Sequence, residues 1–219
     1  MSSSPIRDIA ETFGVGQTDI KYEPNYNVAP TQRILIINNK GKKQIMLCRW
    51  EFVPSWAKDL SVGNRMINAR AETVATKRSF RSAFRRHRCL IIADGFYEWR
   101  KEDRRKVPVY IRLKTRKPFG FAGLYNTWVS PEGEAICTCT IITTEANELL
   151  REVHNRMPVI VPRDKEDFWL NPKNEDWEGL QAVLKTYPSE DMEYYRVSPK
   201  VNSVAYNSPE NIKPAQDTG

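Results

Sequence analysis

Arg33-Ile34-Leu35-Ile36-Ile37-Asn38, followed directly by Asn39-Lys40-Gly41, is the stretch that decides the fold. Its isoleucine-rich run is typical of a buried β-strand, because β-branched side chains pack well on a pleated surface. The asparagine and glycine residues after it favour a tight turn. Residues 44–50 supply a second run of strand length, so the sequence predicts a β-hairpin here.

Further strand-like runs follow along the chain, with a few helical segments between them. Strands are predicted over residues 89–93, 107–113, 119–124, 135–143 and 157–161. Helices are predicted over residues 5–13, 77–86 and 145–153, and a last one opens at residues 162–164. This pattern indicates an α+β fold, a single domain with a curved, barrel-like, mainly antiparallel sheet and a few flanking helices. We expect the domain to span residues 1–207 and residues 208–219 to form a flexible tail.

Length and composition limit the class of protein. The chain has 219 residues, of which 40% are hydrophobic, and this fits one large domain with a real core. No run approaches the roughly 20 apolar residues of a membrane span, and the first residues do not resemble a secretory signal. The four cysteines form no Cys-x-x-Cys pair, so we expect reduced, mostly buried thiols and no metal site.

Positive charge is concentrated in one window of the chain. The net charge is +7, and residues 65–88 contain eight arginines and lysines against one acidic residue, Glu72. Arginine dominates this window, and its guanidinium group matches the geometry of a phosphate. The sequence therefore favours nucleic acid as a partner over the alternative, a solvated basic helix face.

Three short clusters carry side chains that are capable of chemistry. They are Asn68-Ala69-Arg70-Ala71-Glu72-Thr73, Gly95-Phe96-Tyr97-Glu98-Trp99 and His154-Asn155-Arg156-Met157-Pro158. Asn68 and Arg70 are two residues apart. On an extended backbone they share a face and can bind one ligand together.

Glu98 and His154 are the candidates for proton transfer. Glu98 is surrounded in sequence by aromatic residues, and partial desolvation raises a carboxyl pKa toward a useful acid/base range. The alternative is a glutamate at a strand end that pairs with an arginine. His154 is one of two histidines in the chain, and a lone histidine is more often structural than catalytic.

The clusters belong to a longer ordered series of motifs. The others are Asn27-Val28-Ala29-Pro30-Thr31, Arg49-Trp50, Pro54-Ser55-Trp56, Arg88-Cys89-Leu90, Phe121-Ala122-Gly123-Leu124, Thr143-Thr144-Glu145-Ala146-Asn147 and Val201-Asn202-Ser203. In order and content the series resembles the SOS-response-associated peptidase (SRAP) family over roughly residues 25–205. Members of that family crosslink to abasic sites in single-stranded DNA.

The resemblance implies a DNA-damage (SOS response) enzyme without metal or diffusible cofactor. An abasic site carries a ring-opened aldehyde, and the family's nucleophile is an N-terminal cysteine exposed by self-removal of the initiator methionine. Its amine and thiol close a thiazolidine on that aldehyde. The word peptidase, a hydrolase term, then refers to this self-removal, and the activity on DNA is of the crosslinking and lyase type.

The resemblance also assigns roles to single residues. Asn68 positions the N-terminal residue, Glu98 acts near its amine, and His154 moves protons as the sugar ring opens. The DNA-binding residues that it implies are Pro30, Trp56, Arg70, Arg78, Arg85, Thr143 and Arg156. The arginines hold phosphates, while Trp56 and Pro30 pack against bases or separate strands. We expect a cytoplasmic, DNA-associated monomer that binds abasic single-stranded DNA and no membrane.

The sequence departs from the family pattern in two places. The family opens with Met-Cys-Gly-Arg-Phe, whereas this sequence opens with Met1-Ser2-Ser3-Ser4. Either it begins downstream of the natural first residue, or the protein is a member without the crosslinking thiol. We expect no stable crosslink from the chain as it stands, and a non-catalytic single-stranded DNA- or RNA-binding module is the alternative function. Glu51 stands where the family has glycine, and a carboxylate beside a nucleic-acid groove predicts weaker binding there.

Overall fold

The predicted hairpin is present and forms part of a closed barrel. In the computed structural model, which describes residues 1–103 and 105–215, β1 (Arg33–Asn39) pairs antiparallel with β2 (Lys43–Trp50). The other strands are β3 (Asn68–Arg70), β4 (Arg88–Ala93), β5 (Phe96–Glu102), β6 (Arg105–Leu113), β7 (Phe119–Val129), β8 (Ala135–Glu145), β9 (Arg156–Pro158) and β10 (Met192–Arg196). The helices are α1 (Ile6–Phe13), α2 (Arg81–Arg86), α3 (Glu148–Arg151), α4 (Glu166–Leu170) and α5 (Trp177–Val183).

The barrel has the strand order β2-β1-β4-β7-β8, and a parallel pairing of β2 with β8 closes it. The remaining barrel pairs are antiparallel. Outside the ring, β3 pairs parallel with β8, and β9 pairs antiparallel with β8. The α+β class and the barrel-like, mainly antiparallel sheet that the sequence predicts are therefore confirmed.

Alternate residues of the barrel strands enter two different cores. On β1, Leu35 and Ile37 belong to one buried cluster, and Ile34 and Ile36 belong to another. The first cluster includes residues of α1, α2, α4 and α5. The second includes residues of a small separate sheet, β10-β6-β5. Burial on both faces explains why β1 reads as a continuous apolar run.

Two helices are shorter than the sequence predicted. The helix predicted over residues 77–86 begins only at Arg81, and turns precede it. Phe80 and Phe84 are both buried, as predicted. The helix predicted over residues 145–153 begins at Glu148, because the Asn147 side chain accepts the backbone N–H of Leu150 at 3.0 Å.

A disulfide joins Cys48 on β2 to Cys137 on β8, across the parallel seam that closes the barrel. Their Cα atoms are 4.7 Å apart, within the range that a disulfide spans. The expectation of four reduced thiols is therefore wrong for this pair. Cys89 and Cys139 are free and buried.

The segment after Asn207 is packed against the fold as far as the structure describes it. Asn211 is completely buried, and its side chain donates to the Tyr206 carbonyl at 2.7 Å. The Tyr195 hydroxyl donates to the Ile212 carbonyl at 2.7 Å. This differs from the flexible tail predicted over residues 208–219, of which residues 216–219 lie outside the described part.

Candidate active site

Asn68 and Arg70 lie on β3, the strand that pairs with β8 outside the ring. Asn68 is opposite Ile141 of β8, and Arg70 is opposite Thr143. Ala69 between them is buried, whereas Asn68 and Arg70 are both exposed. They therefore share one face of the strand, which is the arrangement that their two-residue spacing predicts.

Glu98 is positioned by the close packing of β5 on β6. A Cβ atom on Gly95 would overlap the ring of Tyr110, so only glycine allows the chain to approach β6 this closely. The Tyr97 hydroxyl donates to the carbonyl of Asn211 at 3.3 Å, which ties β5 to the C-terminal segment. Glu98 follows directly and is half-buried.

His154 follows α3, and its ring is held by the backbone two residues further along. Nδ1 of His154 lies 3.1 Å from the backbone nitrogen of Arg156 and 3.1 Å from the Arg156 carbonyl oxygen. A neutral ring accepts the amide proton at Nδ1 and carries its own proton on Nε2. A protonated ring donates from Nδ1 to the carbonyl. The imidazole therefore keeps a partner in both states, which suits a group that transfers protons.

Arg156 is held at the same end of the barrel by an ion pair and two hydrogen bonds. Its guanidinium donates to the two carboxylate oxygens of Glu72 at 2.9 and 3.0 Å. It also donates to the carbonyl oxygen of Thr143 at 2.6 Å. The hydrogen bond from Arg156 lowers the pKa of Glu72, so this carboxylate stays ionised at neutral pH.

These side chains surround one cavity with a volume of about 550 Å³. The predicted site residues that line it are Pro30, Asn68, Arg70, Glu98, Thr143, His154 and Arg156. Apolar residues of the barrel, among them Ile91 and Phe121, form another part of its wall. Met1 and Ser2 also line it, and the α-amine of Met1 donates to the Gly95 carbonyl at 3.1 Å.

The cavity disfavours charge of either sign. Burial raises the pKa of Glu98, and the positive charge of His154 opposes this shift. Burial also lowers the pKa of the Met1 α-amine to about 6, with Asp94 opposing the shift. A carboxyl and an amine that both favour their neutral forms are suited to exchange protons near neutral pH.

The remaining predicted DNA-binding residues lie outside the cavity. The Arg78 guanidinium stacks on the ring of Trp56 at 5.6 Å, and Trp56 is 53% exposed. Arg85 stacks in the same way on Trp177, also at 5.6 Å. Such pairs present a cation and an aromatic face together on the surface.

Two residues at the cavity were given no role from the sequence. The Asn27 side chain donates to the carbonyls of Val201 at 3.1 Å and Ser203 at 2.9 Å, so it anchors the loop at the rim. In that loop the Asn202 side chain accepts the indole N–H of Trp99 at 2.8 Å. Both contacts join segments far apart in the chain, so no local pattern indicates them.

Glu51 does not face a groove, and the binding penalty predicted from it has no structural basis. It is 1% exposed and forms an ion pair with Arg49. A Cβ on Gly63 would lie 3.2 Å from its Cβ, which shows how closely the neighbouring loop covers it.

No group of three or more potential metal ligands comes together within residues 1–103 and 105–215. In the same part of the chain, none of the helices has the length and apolar character needed to cross a membrane.

Residues 1–204 match the model of the SOS response associated peptidase (SRAP) family. The chain therefore belongs to the SRAP family, and the resemblance noted from the sequence is confirmed. It is 50% identical over 214 residues to abasic site processing protein YoqW of Bacillus subtilis, with 96% of each chain covered.

More distant relatives share the same architecture. Abasic site processing protein HMCES of Xenopus tropicalis is 28% identical over 231 residues, covering 89% of this chain and 67% of that protein. A crystal structure of a Bacteroides thetaiotaomicron protein superposes with a TM-score of 0.88 at 29% identity, covering 99% of this chain and 98% of the other.

Proposed function

We propose that this protein processes abasic sites in single-stranded DNA and links to them covalently through an N-terminal cysteine. The observation that carries the proposal is the cavity that Asn68, Glu98 and His154 line together. Arg70 and Arg156 stand at the same cavity, where they can receive the phosphates of a bound strand. The names of the relatives, abasic site processing proteins, support the same substrate.

The proposed chemistry is a condensation that neither oxidises nor reduces. The deoxyribose ring of the lesion opens to an aldehyde as His154 donates a proton to the ring oxygen. The α-amine of the N-terminal cysteine adds to the aldehyde carbon, and Glu98 takes the proton that the amine releases. Loss of one water gives an imine, and the thiol adds to the imine carbon to close the thiazolidine. Asn68 holds the N-terminal residue in position for the attack.

The location of the N-terminal segment supports this assignment. Met1 and Ser2 already line the cavity, and the Met1 amine contacts Gly95, three residues before Glu98. The sequence has serine at its second position, and a hydroxyl closes a far weaker ring on an imine than a thiol does. The chain as printed therefore forms at most a reversible imine.

The test of the chemistry uses two extended versions of the chain, one beginning with Met-Cys-Gly-Arg-Phe and one with Met-Ser-Gly-Arg-Phe. Each is mixed with a single-stranded oligonucleotide that carries one abasic site. We expect a DNA adduct that survives denaturing electrophoresis from the cysteine version alone. Tight binding without an adduct from either version would favour the non-catalytic binding module.

The test of binding uses the printed chain and an intact tetrahydrofuran analogue of the lesion. With about five phosphate contacts, the logarithm of the affinity should fall with the logarithm of salt concentration at a slope on the order of −3 to −4. An RNA of the same sequence serves as competitor, and preference for RNA would contradict the proposed substrate. We further propose that the protein acts as a monomer in the cytoplasm, as part of the DNA damage (SOS) response.

A further inference from the structure

A second, more open pocket adjoins the cavity. Glu98, Trp99 and His154 line both, so they form the wall between the two. Arg70 and Arg156 line only the first cavity, whereas Lys101, Lys106 and Arg151 line only the second. The proton-transfer residues are therefore flanked by basic side chains on two sides.

The two lysines of the second pocket lie directly opposite each other on neighbouring strands. Lys101 of β5 is the register partner of Lys106 of β6, and both are exposed. Like charges in this arrangement are destabilising, by roughly 0.2–1 kcal/mol. Within the described part of the chain neither lysine forms an ion pair. A bound anion would relieve this repulsion.

The carboxylates nearby are engaged elsewhere. Glu102, next to Lys101, forms ion pairs with Arg100 and Arg196. Glu152 lines the pocket and accepts a hydrogen bond from the Tyr194 hydroxyl at 3.4 Å. The balance of the pocket remains positive.

The third cation and an aromatic face complete the pocket. Arg151 donates from Nε to the Ala146 carbonyl at 3.3 Å, which leaves its two terminal nitrogens available to a ligand. Trp99 is 37% exposed, and its indole is fixed by Asn202. Basic side chains beside a fixed aromatic ring are the features that hold a single strand through its phosphates and bases.

We propose that Lys101, Lys106 and Arg151 bind backbone phosphates on one flank of the lesion, with Trp99 stacking on a nucleotide of that flank. Arg70 and Arg156 serve the other flank. The inference rests on the proposed function, because a strand whose lesion lies at Glu98 and His154 must leave the site in two directions. The second pocket is the exit opposite to Arg70.

The test compares three single-stranded DNAs that carry one tetrahydrofuran lesion with nucleotides on both sides, on the 5′ side only, or on the 3′ side only. The variants are Lys101→Ala/Lys106→Ala, Arg70→Ala and a control, Lys114→Ala/Lys117→Ala. The control removes the same charge from exposed residues beyond the far end of β6. Unfolding midpoints are measured for each, and the paired-lysine variant should be at least as stable as the parent.

We expect Lys101→Ala/Lys106→Ala to weaken binding of one single-flank DNA and of the two-flank DNA by roughly tenfold, and to flatten their salt slope by about 1.4. Arg70→Ala should weaken binding of the opposite single-flank DNA. The proposal is overturned if the paired-lysine variant matches the control on all three DNAs, or if it affects the same flank as Arg70→Ala. A parent protein that binds none of the three would instead overturn the proposed function, and this site with it.

Discussion

Arg156 donates to both carboxylate oxygens of Glu72, at 2.9 and 3.0 Å, and so the cavity carries an internal ion pair at a position where we propose a DNA phosphate. Glu72 is the one acidic residue in the basic window of residues 65–88. Its carboxylate acts as a stand-in for phosphate oxygens while no DNA is bound. A strand that enters must either displace Glu72 or share the guanidinium with it.

Replacing Glu72 with glutamine tests this competition. Glu72→Gln keeps the shape of the side chain and removes the charge, so Arg156 becomes available to phosphate. We expect affinity for single-stranded DNA to rise roughly two- to fivefold, the equivalent of an exposed ion pair. Fluorescence anisotropy measures the change. The control is Glu134→Gln, an exposed residue between β7 and β8 that removes the same charge. An equal gain in the control would show that only net charge matters.

Three substitutions separate the chemistry from binding, in the version of the chain that begins with Met-Cys-Gly-Arg-Phe. Glu98→Gln and His154→Ala should slow adduct formation by about 10²- to 10⁴-fold, because each removes a proton-transfer group. Asn68→Ala should slow it by misplacing the N-terminal residue. Single-turnover rates at saturating abasic DNA are the measurement, and affinity should change little. Parental rates in all three would remove the proposed catalytic roles.

The pH dependence of adduct formation should report the environment of Glu98. Burial raises the pKa of this carboxyl above the ordinary value of 4.5, so the rate should fall with acid at a higher pH than for an exposed glutamate. The positive charge of His154 lowers the same pKa. In His154→Ala the acid limb of the residual rate should therefore move to higher pH. A limb that stays in place would show that Glu98 is not the titrating group.

Gly95 should be intolerant of even one added methyl group. In Gly95→Ala the new Cβ would overlap the ring of Tyr110, and relieving the overlap should cost about 1–3 kcal/mol of unfolding free energy. Gly16→Ala is the control, because a Cβ at Gly16 meets nothing within 4 Å. Urea unfolding of the two variants should differ by that amount. Equal stabilities would mean that β5 can shift freely.

The disulfide can be checked by counting thiols. Denatured protein kept without reductant should react at two cysteines, Cys89 and Cys139, and at four after reduction. In the folded protein these two should react slowly, because they are buried and burial raises their pKa values. Four reactive thiols without reductant would show that Cys48 and Cys137 are not joined.

Local patterns in the sequence predicted the elements that local forces determine. The β1–β2 hairpin follows from an apolar run and its turn residues, and the shared face of Asn68 and Arg70 follows from their spacing. Boundaries were less well predicted. Phe80 and Phe84 have helical spacing and are both buried, yet the helix starts only at Arg81. One buried face does not distinguish a helix from a turn that leads into it.

Contacts between distant segments could not be predicted from such patterns. The parallel pairing of β2 with β8 joins strands far apart in the chain, and the Cys48–Cys137 pair depends on that register. The Arg156–Glu72 ion pair is of the same kind, since the two residues come from different predicted clusters. The sequence marked both residues as parts of motifs but gave no indication that they bind each other.

The packed C-terminal segment bears on how this protein can be shortened for experiments. Composition alone suggests Asn207 as a safe end point for expression. A chain cut there would lose Asn211, the carbonyl that receives the hydroxyl of Tyr97, and with it a tether on the strand that places Glu98. Truncation at that point would then look like a defect in catalysis although no cavity residue had been touched. Fragments for crystallisation or binding assays should keep the chain at least through Ala215, whose backbone N–H donates to the Arg196 carbonyl at 2.8 Å.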